Sequence, residues 1–355
     1  MTTSPVETRR TSPSMHALVL DGRLRLGQLP RPAVGPGRAL VRVDACAISR
    51  IDLDLVDGRR PVQVRPAVLG HQFVGTVEAV GERVDPVWRD RRVVARPSAG
   101  CRRCTACRDG RPWLCEDARK SGIGMGLVDG AFADYVVLPV ESLVEVPDQL
   151  DDEDAVLAYP VAVALEALHR IHGDPPQRVL VVGDGNMGLL VTLMLHAFGH
   201  TVSTIGRHPS RREILWRSGI GFRAVDEGVA QNPETWAEII GEPYGVVIEC
   251  SGRSSGLEFA ARALRPRGQL IMVSDHVGQP GSGVGFLLER ELELVGVGAG
   301  PLGPAVEYLT SSALDVLPLI DNKFSLDDGV TAFHRAGQRG SLRTILLRSP
   351  RVEGA

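Results

Sequence analysis

The stretch Val179-Leu180-Val181-Val182-Gly183-Asp184-Gly185-Asn186-Met187-Gly188 decides the reading of this chain. Its four leading apolar residues, three of them β-branched valines, make a buried parallel strand. The six that follow place glycines at their first, third and sixth positions. A turn of this kind carries a strand into a helix while its backbone N–H groups face a pyrophosphate. Gly183 permits the tight turn, Gly185 lets phosphates approach the backbone, and Gly188 lets the helix pack closely on the strand. Alone the spacing is a weak signal, because glycine is a common turn residue. Here it follows a strand and opens an apolar helix, Leu189 to Phe198, which is the context a dinucleotide site requires. Gly183, Gly185, Asn186, Met187 and Gly188 are therefore candidate cofactor contacts.

Beyond the turn, strands and helices alternate. Strands are expected at Val179–Val182, Thr201–Ile205, Phe222–Val225, Gly245–Glu249, Gln269–Ser274 and Glu293–Val297. Helices are expected between them, near Pro209–Ser218, Pro233–Gly241, Ser254–Leu264 and Gly285–Glu291. This rhythm defines an α/β fold with a doubly wound parallel sheet, and Ser274 closes its fifth strand as a further candidate cofactor contact. Before the turn the texture differs. From His16 to about Val146 the chain reads as short β runs, and Asp151-Asp152-Glu153-Asp154 then starts a helix reaching about His172. After Gly300 come a helix at Pro304–Ser311, a second at Leu326–Ala336 and a strand at Thr344–Leu347.

A length of 355 residues suits two domains. The net charge of −3 gives no footprint for nucleic acid. No apolar run reaches the ~20 residues of a membrane span. Residues 1–14 are polar, contain Pro5 and Pro13, and read as a disordered arm rather than a signal peptide, which points to the cytoplasm.

Four of the six cysteines, Cys101, Cys104, Cys107 and Cys115, lie within one short stretch. Such short gaps let one loop wrap a tetrahedral ion, and four thiolates close its coordination sphere. A zinc held this way is structural, one per chain, with no open position for substrate. Two disulfides or free thiols are the alternative; a chain without a secretory signal favours metal.

The second strand of the parallel sheet selects the cofactor, because an acid at its end binds the ribose 2′-OH of NAD. That strand ends in Gly206-Arg207-His208. Gly206 leaves room for a 2′-phosphate and Arg207 offers it a planar fork, with Arg211 and Arg212 adding charge. A surface arginine run is the plain alternative. The expected cofactor is NADP(H).

The stretch Gly70-His71-Gln72-Phe73-Val74-Gly75-Thr76-Val77-Glu78-Ala79-Val80-Gly81 resembles the signature of the medium-chain, zinc-containing alcohol dehydrogenase superfamily. That signature normally reads Gly-His-Glu, with later glycines spaced as Gly75 and Gly81 are. With the cysteine cluster and the Gly183 turn following in order, the resemblance covers nearly the whole chain. Val156–Leu168 is nearest to polyol- and threonine-dehydrogenase-like members. The resemblance implies a GroES-like, β-barrel-type catalytic domain over 15–157 and 301–355, and a Rossmann domain over 158–300. It implies an active site in the cleft between them, a small-molecule substrate, a homodimer or homotetramer, and Arg50 reaching the pyrophosphate.

The catalytic position departs from the family. Where the family reads Gly-Ile-Cys-x-Thr-Asp, this chain reads Ala47-Ile48-Ser49-Arg50-Ile51-Asp52. Ser49 thus replaces a thiolate ligand and Ile51 replaces a proton-relay threonine. His71 is kept, Gln72 replaces a glutamate, and Tyr159-Pro160 stands where polyol-type relatives carry Glu-Pro. Cys46 is three residues early and reads as a small buried strand residue. One histidine does not hold a catalytic zinc, which needs three protein ligands. Tyr159 is then the candidate acid, its hydroxyl entering the vacated metal cavity, or it merely fills that cavity. His71 with Asp52 is the other candidate, as a base with its orienting group. The expected function is an NADP(H)-dependent oxidoreductase acting on a carbonyl, an activated C=C or an iminium without catalytic zinc. The alternatives are a zinc dehydrogenase rebuilt on His71 with Cys46 or Asp52, and an NADP(H)-binding sensor or non-redox enzyme.

Overall fold

The computed structural model describes residues 14–62, 64–117, 122–125, 128–225, 235–275, 285–311 and 315–348. The expected N-terminal arm lies, apart from Ser14, outside the described residues.

Antiparallel strands fill the first half. β1 (Ser14–Asp21) turns at Gly22 into β2 (Arg23–Pro30), with Ser14 opposite Pro30 and Asp21 opposite Arg23. Gly22 takes a φ of 71°, which glycine adopts without strain. β2 is absent from the sequence expectation because it is an edge strand, and few of its side chains are covered. β3 (Arg38–Ile48) leads into a second sheet, while β4 (Ala67–Val68) pairs with β1. β5 (Gln72–Val80), β6 (Arg92–Ala95), β7 (Tyr135–Pro139) and β8 (Leu143–Glu145) complete the antiparallel part.

The second half is the doubly wound sheet. Its strands are β9 (Arg178–Val182), β10 (Thr201–Gly206), β11 (Gly221–Ala224), β12 (Tyr244–Glu249), β13 (Leu264–Met272) and β14 (Glu293–Gly296). They run parallel in the order β11-β10-β9-β12-β13-β14. The order reverses between β9 and β12, so the crevice at their carboxyl ends is the natural ligand position. Val179, Leu180 and Val181 are fully buried, as a strand flanked on both edges and covered on both faces must be.

The chain then returns. β15 (Ile320–Ser325) and β16 (Arg343–Leu347) run parallel, joined through the helix Gly329–Ala336. β16 pairs antiparallel with β3, placing Thr344 opposite Ile48 and Ile345 opposite Ala47. On the other edge of β3, Ala47 faces Gln72 of β5. The end of β3 is thus clamped between residues about 270 positions apart in sequence, and this clamp sets the geometry of the site. β15 was unreadable in the sequence because Asp321, Asn322 and Lys323 make it a polar edge.

The helix Ala158–His169 links the two sheets. Nine of its twelve residues are buried, so it shows no polar face. It packs against the helices Asn186–Ala197 and Leu302–Thr310. Gly300 permits the last contact, since a Cβ there would lie 2.0 Å from the Ala162 carbonyl oxygen. One apolar core runs from Ala45, Ala47 and Val74 through this helix to Val179, Val181 and Ile345. Among the described residues no helix is long and apolar enough to cross a membrane.

Ile345 is fully buried where the returning strand meets that core. Ile345→Ala is expected to lower the unfolding free energy by about 2–5 kcal/mol, read from urea denaturation. An unchanged midpoint would show that the returning strand is not stitched into the core.

Candidate active site

Ser49 follows β3 and caps the helix Arg50–Val56. Its hydroxyl donates to Asp52 Oδ2 at 2.6 Å and its backbone N–H donates to the same oxygen at 2.8 Å. The Asp52 N–H returns a bond to Ser49 Oγ at 3.2 Å, closing a capping box. Ser49 therefore serves as a helix cap at the position expected to bind metal in relatives. Asp52 is completely buried. Its other oxygen, Oδ1, stands 3.7 Å from His71 Nδ1, and neither atom has a hydrogen-bond partner. That distance is too long for a hydrogen bond, but it puts the carboxylate directly behind the imidazole.

His71 precedes β5 and is also buried. Its Nε2 lies 3.4 Å from Gln72 Nε2. Gln72 Oε1 accepts from an Arg343 guanidinium nitrogen at 2.9 Å, which also donates to the Ile48 carbonyl at 3.4 Å. Loss of hydration lowers the Arg343 pKa to about 10, with Asp52 opposing the shift, so Arg343 remains a cation at neutral pH. The buried set thus brings together Asp52, His71, Gln72 and Arg343, with the imidazole between the Asp52 carboxyl and the Gln72 amide. Arg343 was missed in the sequence because only strand pairing brings it to Gln72.

Tyr159 meets His71 edge-on, with ring centroids 5.5 Å apart and an interplanar angle of 88°. Its hydroxyl, expected inside the vacated metal cavity, donates instead to the Gly298 carbonyl at 3.3 Å. The half-buried ring spans to a carbonyl beyond the end of β14, and that polar group captures its tip. Burial pushes the phenol up to about 12, so it stays protonated at any physiological pH. Cys46 is buried within β3, and burial raises its thiol well above the usual range, with Asp52 adding to the rise.

The polar side chains at this position are Ser49, Asp52, His71 and Gln72. Ser49 and Gln72 are neutral and already engaged, and Asp52 is held by the cap. Among the described residues, the group of three or more cysteine, histidine or carboxylate ligands close enough to share an ion is Cys101, Cys104, Cys107 and Cys115. Their ligand atoms all lie within 4.8 Å of one another. Backbone N–H groups point at the sulfurs, from Cys104 to Cys101 Sγ and from Cys101 to Cys107 Sγ, each at 3.3 Å. The Asp117 N–H reaches Cys115 Sγ at 3.4 Å. Such donors favour thiolates, and the N–H groups of Arg103 and Cys104 bring the Cys101 pKa down to about 6. This loop fits a tetrahedral zinc.

At the parallel sheet the three glycines behave as their spacing requires. Gly183 has a φ of +117°, and a Cβ there would sit 2.8 Å from the Cys250 carbonyl carbon. A Cβ on Gly188 would lie 1.9 Å from the Gly183 oxygen. Gly185 faces open space, with nothing within 4 Å of an added Cβ. The Asn186 side-chain oxygen is buried at the helix start without a partner. Met187 is half-buried and packs on the core.

Other expected contacts are placed differently. Ser274 Oγ donates to Glu249 Oε2 at 3.0 Å and accepts from the Gly252 N–H at 3.0 Å, so its polar atoms organise the protein. Glu249, fully buried at the end of β12, also accepts from the Ser251 N–H at 2.7 Å. An acid closing an apolar strand was the overlooked signal for it. Arg50 is exposed and pairs with buried Asp54 at 3.0 Å, while Arg59 takes the same oxygen at 2.7 Å. Arg211, expected to add charge at a phosphate, is buried and donates to the Gly340 carbonyl. Arg207 is half-buried after β10. The space over Gly206, expected to be open for a 2′-phosphate, is filled by the Asp184 side chain.

A six-stranded doubly wound sheet with a glycine turn at its switch point is the fold of dinucleotide-binding proteins. Residues 35–148 match the family model described as alcohol dehydrogenase GroES-like domain, and residues 187–310 match that of zinc-binding dehydrogenase. The chain belongs to the zinc-containing medium-chain alcohol dehydrogenase superfamily, with a GroES-like part and a Rossmann part, and is an alcohol dehydrogenase-like oxidoreductase. It is 28% identical over 348 residues to a sorbitol dehydrogenase of Bacillus subtilis (strain 168), covering 93% of this chain and 96% of that one. It is 26% identical over 334 residues to an L-idonate 5-dehydrogenase of Vitis vinifera, covering 89% of each. A solved structure from Sinorhizobium meliloti 1021 bound to NADP superposes with a TM-score of 0.81 at 26% identity, covering 94% of this chain and 99% of that one.

Arg343 is the buried cation that holds Gln72 and the Ile48 carbonyl, with Asp52 raising its pKa. Arg343→Met is expected to destabilise the fold by about 1–3 kcal/mol, because it leaves buried acceptors unsatisfied and removes a positive charge near Asp52. Chemical denaturation reads the loss. The double variant Arg343→Met with Asp52→Asn is expected to recover part of it, and no recovery would disprove the pairing.

Proposed function

We propose that this chain is an NADP(H)-dependent oxidoreductase that passes hydride to a carbonyl, an activated C=C or an iminium carbon. On this reading it works without a catalytic zinc and keeps one structural zinc on Cys101, Cys104, Cys107 and Cys115. The observation that carries it is the closed Ser49–Asp52 capping box beside His71, which engages the family's metal position in helix capping. The NADP-bound relative and the basic residue Arg207 after β10 support the choice of cofactor. The dehydrogenase relatives support a small-molecule substrate, and the cleft between 15–157 with 301–355 and 158–300 is the place for it.

A dinucleotide whose pyrophosphate is held at the Gly183 turn would supply the hydride for an electrophilic carbon. The chain's own task is to meet the negative charge that forms on the substrate. His71 is suited to that task. Asp52 Oδ1 stands 3.7 Å behind its Nδ1 and the Gln72 amide nitrogen faces its Nε2 at 3.4 Å, so proton donation to substrate from Nε2 requires the Gln72 amide to move aside. Arg343, through Gln72, fixes the side of the imidazole away from Asp52. Tyr159 closes the ring's edge and excludes water there, and its hydroxyl remains on Gly298. Iminium and activated C=C substrates need less Lewis-acid help than a simple ketone, and so suit a site without a divalent ion.

Elemental analysis is expected to give one zinc per chain, lost in Cys104→Ser together with a lowered melting temperature. NADPH oxidation across a panel of carbonyls, enones and cyclic imines is expected to survive mild chelation. His71→Ala is expected to reduce kcat by about 10²–10⁴-fold with little change in NADPH affinity. Tyr159→Phe is expected to cost less than about tenfold, the order of one neutral hydrogen bond. Two zincs per chain would favour a rebuilt zinc dehydrogenase. Tight NADPH binding without turnover on any of the panel would favour a sensor.

A further inference from the structure

Asp184 occupies the variable position between the first two glycines of the turn, and it is one of the few carboxylates buried in the parallel sheet region. Its Oδ2 accepts the backbone N–H of Arg207 at 2.9 Å and that of His208 at 2.6 Å. Its Oδ1 lies 3.0 Å from His208 Nδ1. An ionised carboxylate only accepts, so the proton of this contact sits on Nδ1. The carboxylate stands directly over Gly206, where an added Cβ would be 2.2 Å from Asp184 Cγ. Residue 206 is glycine because Asp184 fills the space its side chain would take.

This placement bears on the adenosine end of the cofactor. In a doubly wound sheet the acceptor for the ribose 2′-OH stands at the end of the strand next to the glycine turn. Here β10 ends in Gly206 and brings no acid of its own, yet a carboxylate is present there, delivered from the turn. A carboxylate offers about four acceptor positions. Two N–H groups and one imidazole take three of them, which leaves one for a hydroxyl. A 2′-phosphate needs the opposite environment: successive N–H groups and unopposed cations. The two N–H groups best placed for it already bind Asp184, and the Arg211 guanidinium binds Gly340.

We propose that Asp184 is a specificity-determining residue, which presents its carboxylate to the ribose 2′-OH and withholds the Arg207 and His208 N–H groups from a 2′-phosphate. The chain therefore takes NAD(H) alongside NADP(H), and Asp184 sets the ratio. His208 is a positioning residue that keeps the carboxylate over Gly206. The proposal rests on the reading that the Gly183 turn binds a nicotinamide dinucleotide.

The test is fluorescence titration of the full-length protein with NADH and, separately, NADPH. Wild type, Asp184→Asn, Asp184→Ala and His208→Gln are compared, with melting temperatures recorded alongside. Wild type is expected to bind both dinucleotides with Kd values within about tenfold of each other. Both Asp184 variants are expected to move the NADH-to-NADPH Kd ratio at least about tenfold toward NADPH, and His208→Gln to move it less in the same direction. A general loss of fold weakens both dinucleotides and leaves the ratio unmoved, so the ratio separates specificity from stability. If the Asp184 variants fail to fold, the partly exposed His208 position carries the same readout. A ratio unchanged within twofold in folded variants that still bind dinucleotide overturns the role of Asp184. Absence of any dinucleotide binding in wild type overturns the cofactor reading itself, and the proposal with it.

Discussion

The close approach of Gly188 to the Gly183 carbonyl is the constraint on which the cofactor half depends. With 1.9 Å between a would-be Cβ and that oxygen, any larger residue pushes the helix Asn186–Ala197 off β9. A Cβ on Gly183 would likewise lie 2.8 Å from the Cys250–Ser251 backbone, so the ends of β9 and β12 leave no room for a side chain between them. Glu249 locks the second of these ends by gathering the Ser251 N–H and the Ser274 hydroxyl around one buried carboxylate. Asp184 locks the neighbouring end of β10 in the same way. The crevice is therefore preorganised by two buried acids, each satisfied by backbone donors that would otherwise be orphaned at strand ends.

On the catalytic side the organising element is pairing across β3. Ala47 has Gln72 on one side and Ile345 on the other, so the residues that follow each partner, or precede it, converge at one end of the strand. His71, Gln72, Ser49 and Arg343 meet there although they come from three separate segments of the chain. The apolar core that includes Ala47 and Ile345 continues into the helix bearing Tyr159, whose ring completes the cluster. Placement of the imidazole is thus a consequence of sheet register, and register is set by which residues can be buried.

Much of this was legible before any coordinates. The six strands of a doubly wound sheet follow from the β–α rhythm, and the glycine turn and the cysteine loop follow from spacing, whereas the strand order came only from the pairing. These signals are local, so a short window contains them. What was illegible is non-local or depends on a side chain's direction. Arg343 is an ordinary basic residue in sequence and becomes a buried partner of Gln72 only through strand pairing. Asp184 sits at a variable position, and its reach across to β10 is invisible in the motif. Gly206 was read as room for a phosphate, whereas the room belongs to Asp184. Tyr159 was placed in the right neighbourhood, but its hydroxyl found the Gly298 carbonyl. Arg211 and Ser274 were likewise near the right strand ends and turned to protein partners.

The departures from the family pattern are easier to understand together than singly. A thiolate and two glutamates near a divalent ion carry three negative charges against two positive ones. In this chain the corresponding residues are Ser49, Gln72 and Tyr159, all neutral. The charged groups that remain nearby, Asp52 and Arg343, are of opposite sign, and Asp52 raises the Arg343 pKa against the loss of hydration. An acid restored at 49 would stand beside Asp52, a like charge that is costly to bury, whereas one at 72 would meet the Arg343 guanidinium. With serine at 49 the hydroxyl caps the helix, an interaction of about 0.5–2 kcal/mol. On the proposed reading, loss of the metal and gain of the cap are one change: the carboxylate that would orient a zinc-bound histidine now anchors Ser49 with one oxygen and backs His71 with the other.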